Sequence, residues 1–290
     1  MSVLPRLIVV AAVALVLAVP LGCGRGGGAK LTLRYHPPAG ATYRYDLEQQ
    51  TEIKFESGPM AKMPVQHLGL HMHFTQMVAG PTAEGVGMTV RFDSTTMESP
   101  LMAKSGYGPA LDRMRGLTSK VVYDDRMNVL HAEFTNLGED LAGVTDQLDK
   151  NLKGMTFPLP AEPVGVGDSW TAEMELPLHQ VASGGSPMMA TTKLTVKEIN
   201  AGGPDTTVLI ALRTSFPADP IKVAQQGQLL TLKLSGTLTG DQLFSLTRGA
   251  VVQSQVSGTM GIHMTGGALG ADGADMSTKQ VTSLQLREAK

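Results

Sequence analysis

Apolar and polar residues alternate with period two through most of this chain of 290 residues, and that alternation fixes the fold class, because a strand turns successive side chains to opposite faces. Leu31, Leu33 and Tyr35 alternate with Lys30, Thr32 and Arg34, and Tyr43, Tyr45 and Leu47 share a face with Ile53 and Phe55. Leu68, Leu70, Met72 and Phe74 oppose His67, His71, His73 and Thr75, and Met88, Val90 and Phe92 oppose Thr89, Arg91 and Asp93. The rhythm returns with Trp170, Ala172 and Met174, with Val208, Ile210 and Leu212, with Leu230, Leu232 and Leu234, and with Val256, Met260, Ile262 and Met264. The chain therefore reads as mainly β, in antiparallel sheets with one face on a core and one in water. Strands this long twist and coil, so curved sheets are expected.

Phe157 to Trp170 interrupts the rhythm, because Pro158, Pro160, Pro163, Gly165 and Gly167 suit neither a helix nor a central strand. Landmarks on its two sides match at a fixed spacing. The run His71 to Gly80 lies over Lys193 to Gly202, Met88 over Ile210, Arg91 over Arg213 and Val129 over Val251, each pair 122 residues apart. The expected fold is two tandem related curved antiparallel sheets, each with short helices. Residues 30–156 form the first unit, 157–166 the joint and 167–290 the second. Leu141, Val144, Leu148 and Leu152 have helical spacing, Pro109 to Leu117 suits a helix start, and Pro220 to Gln226 is its expected short counterpart.

Residues 1–22 carry one charge, Arg6, before an apolar run from Leu7 to Val19, which reads as a secretory signal peptide too short for a stable membrane span. Cys23, the single cysteine, follows Leu21-Gly22. This site resembles a bacterial lipobox, with Pro20 where an aliphatic residue is usual. The resemblance implies lipidation at Cys23, residues 23–29 as a lipidated cysteine with a Gly-rich tether, and a place on the periplasmic or extracellular side of the cell envelope, held to the membrane by the lipid. A single cysteine permits no internal disulfide. Processing would leave 23 basic against 26 acidic side chains, a balance with no electrostatic case for nucleic acid.

Pro163-Val164-Gly165-Val166-Gly167-Asp168-Ser169-Trp170, together with Gly40-x-x-Tyr43-x-Tyr45, resembles an uncharacterised family of bacterial exported proteins with a Val-Gly-Asp-Ser-Trp turn. That resemblance implies no activity and no site residues. A looser likeness, at the level of outline, is to half-barrel lipoprotein carriers of acyl chains.

Candidate chemistry is sparse. Gly167-Asp168-Ser169 is similar to the nucleophile block of certain hydrolases but lacks their late Asp-x-x-His, and a serine without a base is not activated. Asp124-Asp125 falls in a tight turn that it is expected to fix. His67, His71 and His73 share one strand face at a spacing that suits a metal ion, although that is the polar face. Methionine is abundant, and Met72, Met88, Met260 and Met264 are candidate linings of a hydrophobic-ligand site, with a solid core as the alternative. The reading is a non-enzymatic envelope lipoprotein without a cofactor, binding a hydrophobic ligand or an envelope protein. Its alternatives are a structural or interaction role without a small ligand, and metal binding.

Overall fold

The computed structural model describes residues 30–99, 115–135, 157–175, 189–217, 219–225, 228–270 and 272–290. Among the described residues twelve strands form one antiparallel sheet. The first five are β1 (Thr42–Phe55), β2 (Gln66–Pro81), β3 (Val86–Glu98), β4 (Thr118–Tyr123) and β5 (Val129–Thr135). The rest are β6 (Ser169–Glu175), β7 (Met189–Asn200), β8 (Thr207–Ser215), β9 (Ile221–Gln225), β10 (Gln228–Ser245), β11 (Ala250–Gly266) and β12 (Ala274–Ala289). Their spatial order is β5-β4-β3-β2-β1-β12-β11-β10-β8-β7-β6, with β9 paired to β10 off this path.

The expectation of two sheets is corrected here to one continuous sheet. β12 pairs with β1 from Phe55↔Met276 to Tyr43↔Ala289 and, on its other edge, with β11 from Met264↔Ala274 to Gln253↔Gln285. Strands at the 122-residue spacing still occupy like places. β2, β3, β4 and β5 follow one another across the sheet as β7, β8, β10 and β11 do. The short helix expected at Pro220 to Gln226 is also corrected. Ile221–Gln225 is strand β9, in register with Gln228 to Leu232, where alternating Ile221 and Val223 pack on Leu230 and Leu232. Helical spacing cannot be distinguished from strand spacing over so few residues. Among the described residues the one helical turn is a 3-10 turn, Gly267–Leu269. The helix read at 140–152 lies outside the described residues, as does most of the one at 109–117. Leu31 to Tyr35 is extended but makes a single bridge, Leu31↔Val164, rather than a strand.

The sheet coils until its two halves share one core. Tyr43, Tyr45, Val78, Met88 and Val121 from one half pack in a single cluster with Leu194, Val196, Val208, Ile210 and Phe244 from the other. Glycines permit the sharpest bend. A Cβ at Gly236, Gly240 or Gly258 would lie 2.1–2.2 Å from a carbonyl oxygen of the facing strand, so β10 and β11 crease against each other where only hydrogen fits.

One end of the coil is plugged. Leu33 and Leu159 are fully buried there, each contributing roughly 1.5–3 kcal/mol by leaving water. Leu31 and Val164 exchange both backbone hydrogen bonds, and Leu159 N–H donates to Arg126 O at 2.9 Å while Arg126 Nε donates to Leu159 O at 2.8 Å. The Pro/Gly-rich joint is therefore a packed part of the core. Its Asp168 carboxylate accepts the Gly165 N–H at 3.0 Å and pairs with Lys30, and Trp170 Nε1 donates to Pro158 O at 2.8 Å. Two tyrosines complete the plug. Tyr43 and Tyr45 hydroxyls donate to Arg248 O and Val251 O, both at 2.8 Å, drawing the β10–β11 turn inward.

Candidate functional site

The inward face changes character along the strands. On β1 it reads Tyr43, Tyr45 and Leu47, all buried, then Gln49, Thr51, Ile53 and Phe55, all half-buried. Register carries the same change across neighbouring strands. Leu47 faces Met72 and Leu284, Thr51 faces Leu68 and Gln280, and Phe55 faces Met276, which in turn faces Ile262. From Leu47 to Phe55, Gln66 to Met72, Ser254 to Met264 and Met276 to Leu284, no inward position carries a charge. The outward positions of the same strands carry Glu48, Glu52, Lys54, His67, His71, His263 and Lys279. A charge-free face that stays half-exposed beyond a filled core leaves apolar side chains such as Ile53, Phe55 and Met260 without full cover.

Four methionines were singled out by sequence, and the structure separates them. Met72 and Met260 lie on the open, half-exposed part of the inward face. Met88 is a core residue, 2% exposed, whose sulfur accepts the Tyr35 hydroxyl at 3.6 Å. It sits one strand end too deep to line an opening. Met264 packs on the small cluster of Val223, Leu230 and Leu232 at the β9–β10 hairpin. Cys23 lies outside the described residues.

Sequence reasoning missed the polar positions on this face. Gln242 on β10 points inward with its side chain almost wholly enclosed, 4% exposed, and makes no hydrogen bond with any described residue. Thr95 on β3 is 5% exposed, and its hydroxyl also has no partner among the described residues. Ser119, fully buried on β4, also has a hydroxyl without a partner among the described residues, and leaving such a hydroxyl unpaired costs about 1–3 kcal/mol. Nearer the open end, Gln49 Nε2 donates to Thr51 Oγ1 at 3.2 Å and Gln280 Nε2 to Thr282 Oγ1 at 3.0 Å. Gln49 faces Thr282 across the β1–β12 pair and Thr51 faces Gln280, so the four make one neutral polar cluster. The signal was available in the sequence: glutamine and threonine interrupt apolar parity at these positions.

The histidines sit on the opposite, outer face. His73 Nδ1 pairs with Asp46 at 2.5 Å and His71 Nδ1 lies 3.9 Å from Glu48, while His67 faces Glu52 by register. Each imidazole thus looks across to an acid of β1 rather than to another imidazole. Among the described residues no three His, Cys, Asp or Glu side chains group as a metal ion requires. Burial pushes the Asp46 carboxyl up, but hydrogen bonds from His73 and Arg287 outweigh it and hold the group below the usual carboxylate range. A groove of about 460 Å³ lies mainly on this outer side, lined by Glu52, His67, His71, Glu98 and Lys279. Ionisable side chains border it, which they do not on the inward face.

The other candidates are structural. Ser169 opens β6 opposite Thr195, and its hydroxyl makes no hydrogen bond with a described residue. Asp124 fixes its turn by accepting the N–H groups of Arg126 and Asn128, both at 2.8 Å, as its position in sequence leads one to expect.

The fold and this face define an open, coiled antiparallel sheet with a charge-free, half-exposed inward surface. No family model and no curated protein matches the chain. Among solved structures it is similar to lipovitellin, in a structure concerned with lipid–protein interactions in that protein, with a TM-score of 0.49 and 10% identity. The likeness covers 87% of this chain and 26% of that one, so the chain spans about a quarter of its neighbour's length. A likeness this loose carries no function across.

Proposed function

We propose that the protein is a non-catalytic binder of a hydrophobic ligand, anchored in the bacterial cell envelope through a lipidated Cys23. The observation that supports the ligand is the inward face of β1, β2, β11 and β12, which stays uncharged and half-exposed past the end of the packed core and carries Ile53, Phe55, Leu68, Met72, Met260 and Met276. Each methylene that a ligand buries there contributes about 0.8 kcal/mol, so an acyl-type chain gains useful affinity without any ionic contact. Unbranched, polarisable Met72 and Met260 adapt to chains of differing shape. The anchor is supported by the leader and by Cys23, and the envelope location follows from them.

Native mass spectrometry of the protein purified gently from an envelope extract tests the ligand. A co-purifying apolar molecule, lost on Met72→Glu or Met260→Glu substitution, is the expected result; a clean apo mass, repeated with lipid supplied, overturns the reading. For the anchor, the mass of the N-terminal peptide is decisive. It should carry acyl chains on Cys23 and lose them in Cys23→Ser.

A further inference from the structure

We propose that the groove on the outer face, across β3, β2, β1 and β12, is a second binding site, and that it takes a small primary amine carried on a short apolar chain. It lies on the opposite side of the sheet from the hydrophobic-ligand face and stands independently of that reading.

Strand register explains why a groove is there. Outward positions of β1 and β2 meet as acid and imidazole: Asp46 with His73, Glu48 with His71 and Glu52 with His67. One rung breaks the series, because Gln50 meets Gly69. The full row across the four strands reads Glu98, Gly69, Gln50 and Val281, and all four residues line the groove. The neighbouring row, His67, Glu52 and Lys279, lines it as well, and His71 stands on the other side. Gly69 is the floor. Apart from Glu98, no atom beyond its chain neighbours lies within 4 Å of the place a Cβ would take there. A volume of about 460 Å³ falls within the range of small-molecule sites, roughly 300–1,000 Å³.

Two polar groups without partners flank that floor. Glu98 Oε2 lies 3.9 Å from the position of a Gly69 Cβ, so the carboxylate leans over the glycine. It makes no ion pair or hydrogen bond with a described residue, and the ladder of β4 with β3 ends at Arg91↔Thr118, short of it. On the far side of Gly69, the Gln50 amide also makes no hydrogen bond with a described residue. Next in the row comes Val281, an exposed apolar side chain.

Charge sets the class of ligand. Glu52 has a basic neighbour on each side, His67 and Lys279, whereas Glu98 faces a residue with no side chain. The charge left without a cross-strand partner is therefore negative and sits at one end of the row, with an apolar side chain at the other. An ammonium over Gly69 pairs with Glu98 and donates to the Gln50 carbonyl. Its chain then crosses two strand spacings, roughly 10 Å, to cover Val281. A carboxylate in that place would meet Glu98 as a like charge, and an alcohol would leave Glu98 without a counter-charge.

The test uses the full-length protein and ligand-observed saturation-transfer NMR at neutral pH, with n-hexylamine, hexanol and hexanoate as probes. Hexylamine should bind with a Kd about fivefold lower than either of the others, the gain that one exposed ion pair supplies. Glu98→Gln should remove that preference. So should Gly69→Val, which fills the floor and keeps the carboxylate, whereas Met260→Ser on the inward face should leave the preference unchanged. Equal binding of the three probes overturns the inference, as does an amine preference that persists in Glu98→Gln. Loss of the preference in Met260→Ser overturns it too, by moving the amine to the inward face. Circular dichroism checks that the variants fold, and the exposed Glu98→Gln decides the outcome alone should Gly69→Val fail to do so.

Discussion

Tyr45 shows how much one side chain does in this protein. Its ring stacks on Phe74 with centroids 5.2 Å apart, and its hydroxyl satisfies Val251 O from inside the core. Tyr45→Phe keeps the ring and strands a buried carbonyl, so it should cost about 1–2 kcal/mol in urea unfolding. Tyr35 and Tyr123, edge to face at 5.1 Å, share this environment. Burial pushes the Tyr123 hydroxyl up to about 12 and raises Tyr35 and Tyr45 as well. In the unfolded chain these phenols ionise near the ordinary value of about 10, so the stabilisation is complete below that pH. It is lost as pH rises towards 12 and beyond, because the unfolded state releases protons that the folded state retains. Tyrosinate absorbance should therefore appear together with loss of structure. A gradual rise in tyrosinate with the fold intact would contradict this. Acid works in the opposite sense at Asp205, where burial raises the carboxyl but Ser245, Thr247 and Arg248 together lower it. Its contribution is present above the ordinary carboxylate range and fades as pH falls through the folded value, so Asp205→Asn should flatten the acid limb of a stability–pH curve.

At the scale of strands, the sequence was most legible where parity alone decides the answer. The run from Tyr43 to Phe55 names its own inward face, and so do Met88 to Phe92 and Val208 to Leu212. Partners were not legible. Nothing local in Thr42–Phe55 says that its neighbour begins at Ala274, because ladder hydrogen bonds are made by backbone atoms that every residue shares. Glycines were equally silent, since composition counts them without saying which approach a carbonyl. Gly236→Ala, at φ +108 and against Thr259 O, should destabilise by about 1–3 kcal/mol, whereas Gly69→Ala meets only Glu98 at ordinary contact distance and should change stability by about 0.5 kcal/mol or less. Thermal unfolding of the two variants side by side checks the crease.

For the molecule as a whole, the candidate site was half legible. Met72 and Met260 were found because they break no rule of apolar parity, while Gln242, Gln280 and Gln49 were overlooked as exceptions to it. The single sheet has a clear mechanical corollary: β12 is bonded along both edges, so removing residues 274–290 exposes β1 and β11 together. A chain ending at Gly273 should aggregate rather than yield a smaller folded unit, and recovery of a soluble monomer with intact β signal would show that the halves stand alone. One further consequence follows from the reciprocal hydrogen bonds between Thr42 and Lys290, at 2.8 and 3.0 Å, which set the last residue of the chain beside the first strand. Cut between β5 and β6 and spliced from Lys290 to Lys30, the same strands except β9 would run in plain succession from one edge of the sheet to the other. In the language of topology the described strands, β9 aside, are a circular permutation of a simple meander, with β1 and β12 side by side at the centre of the sheet.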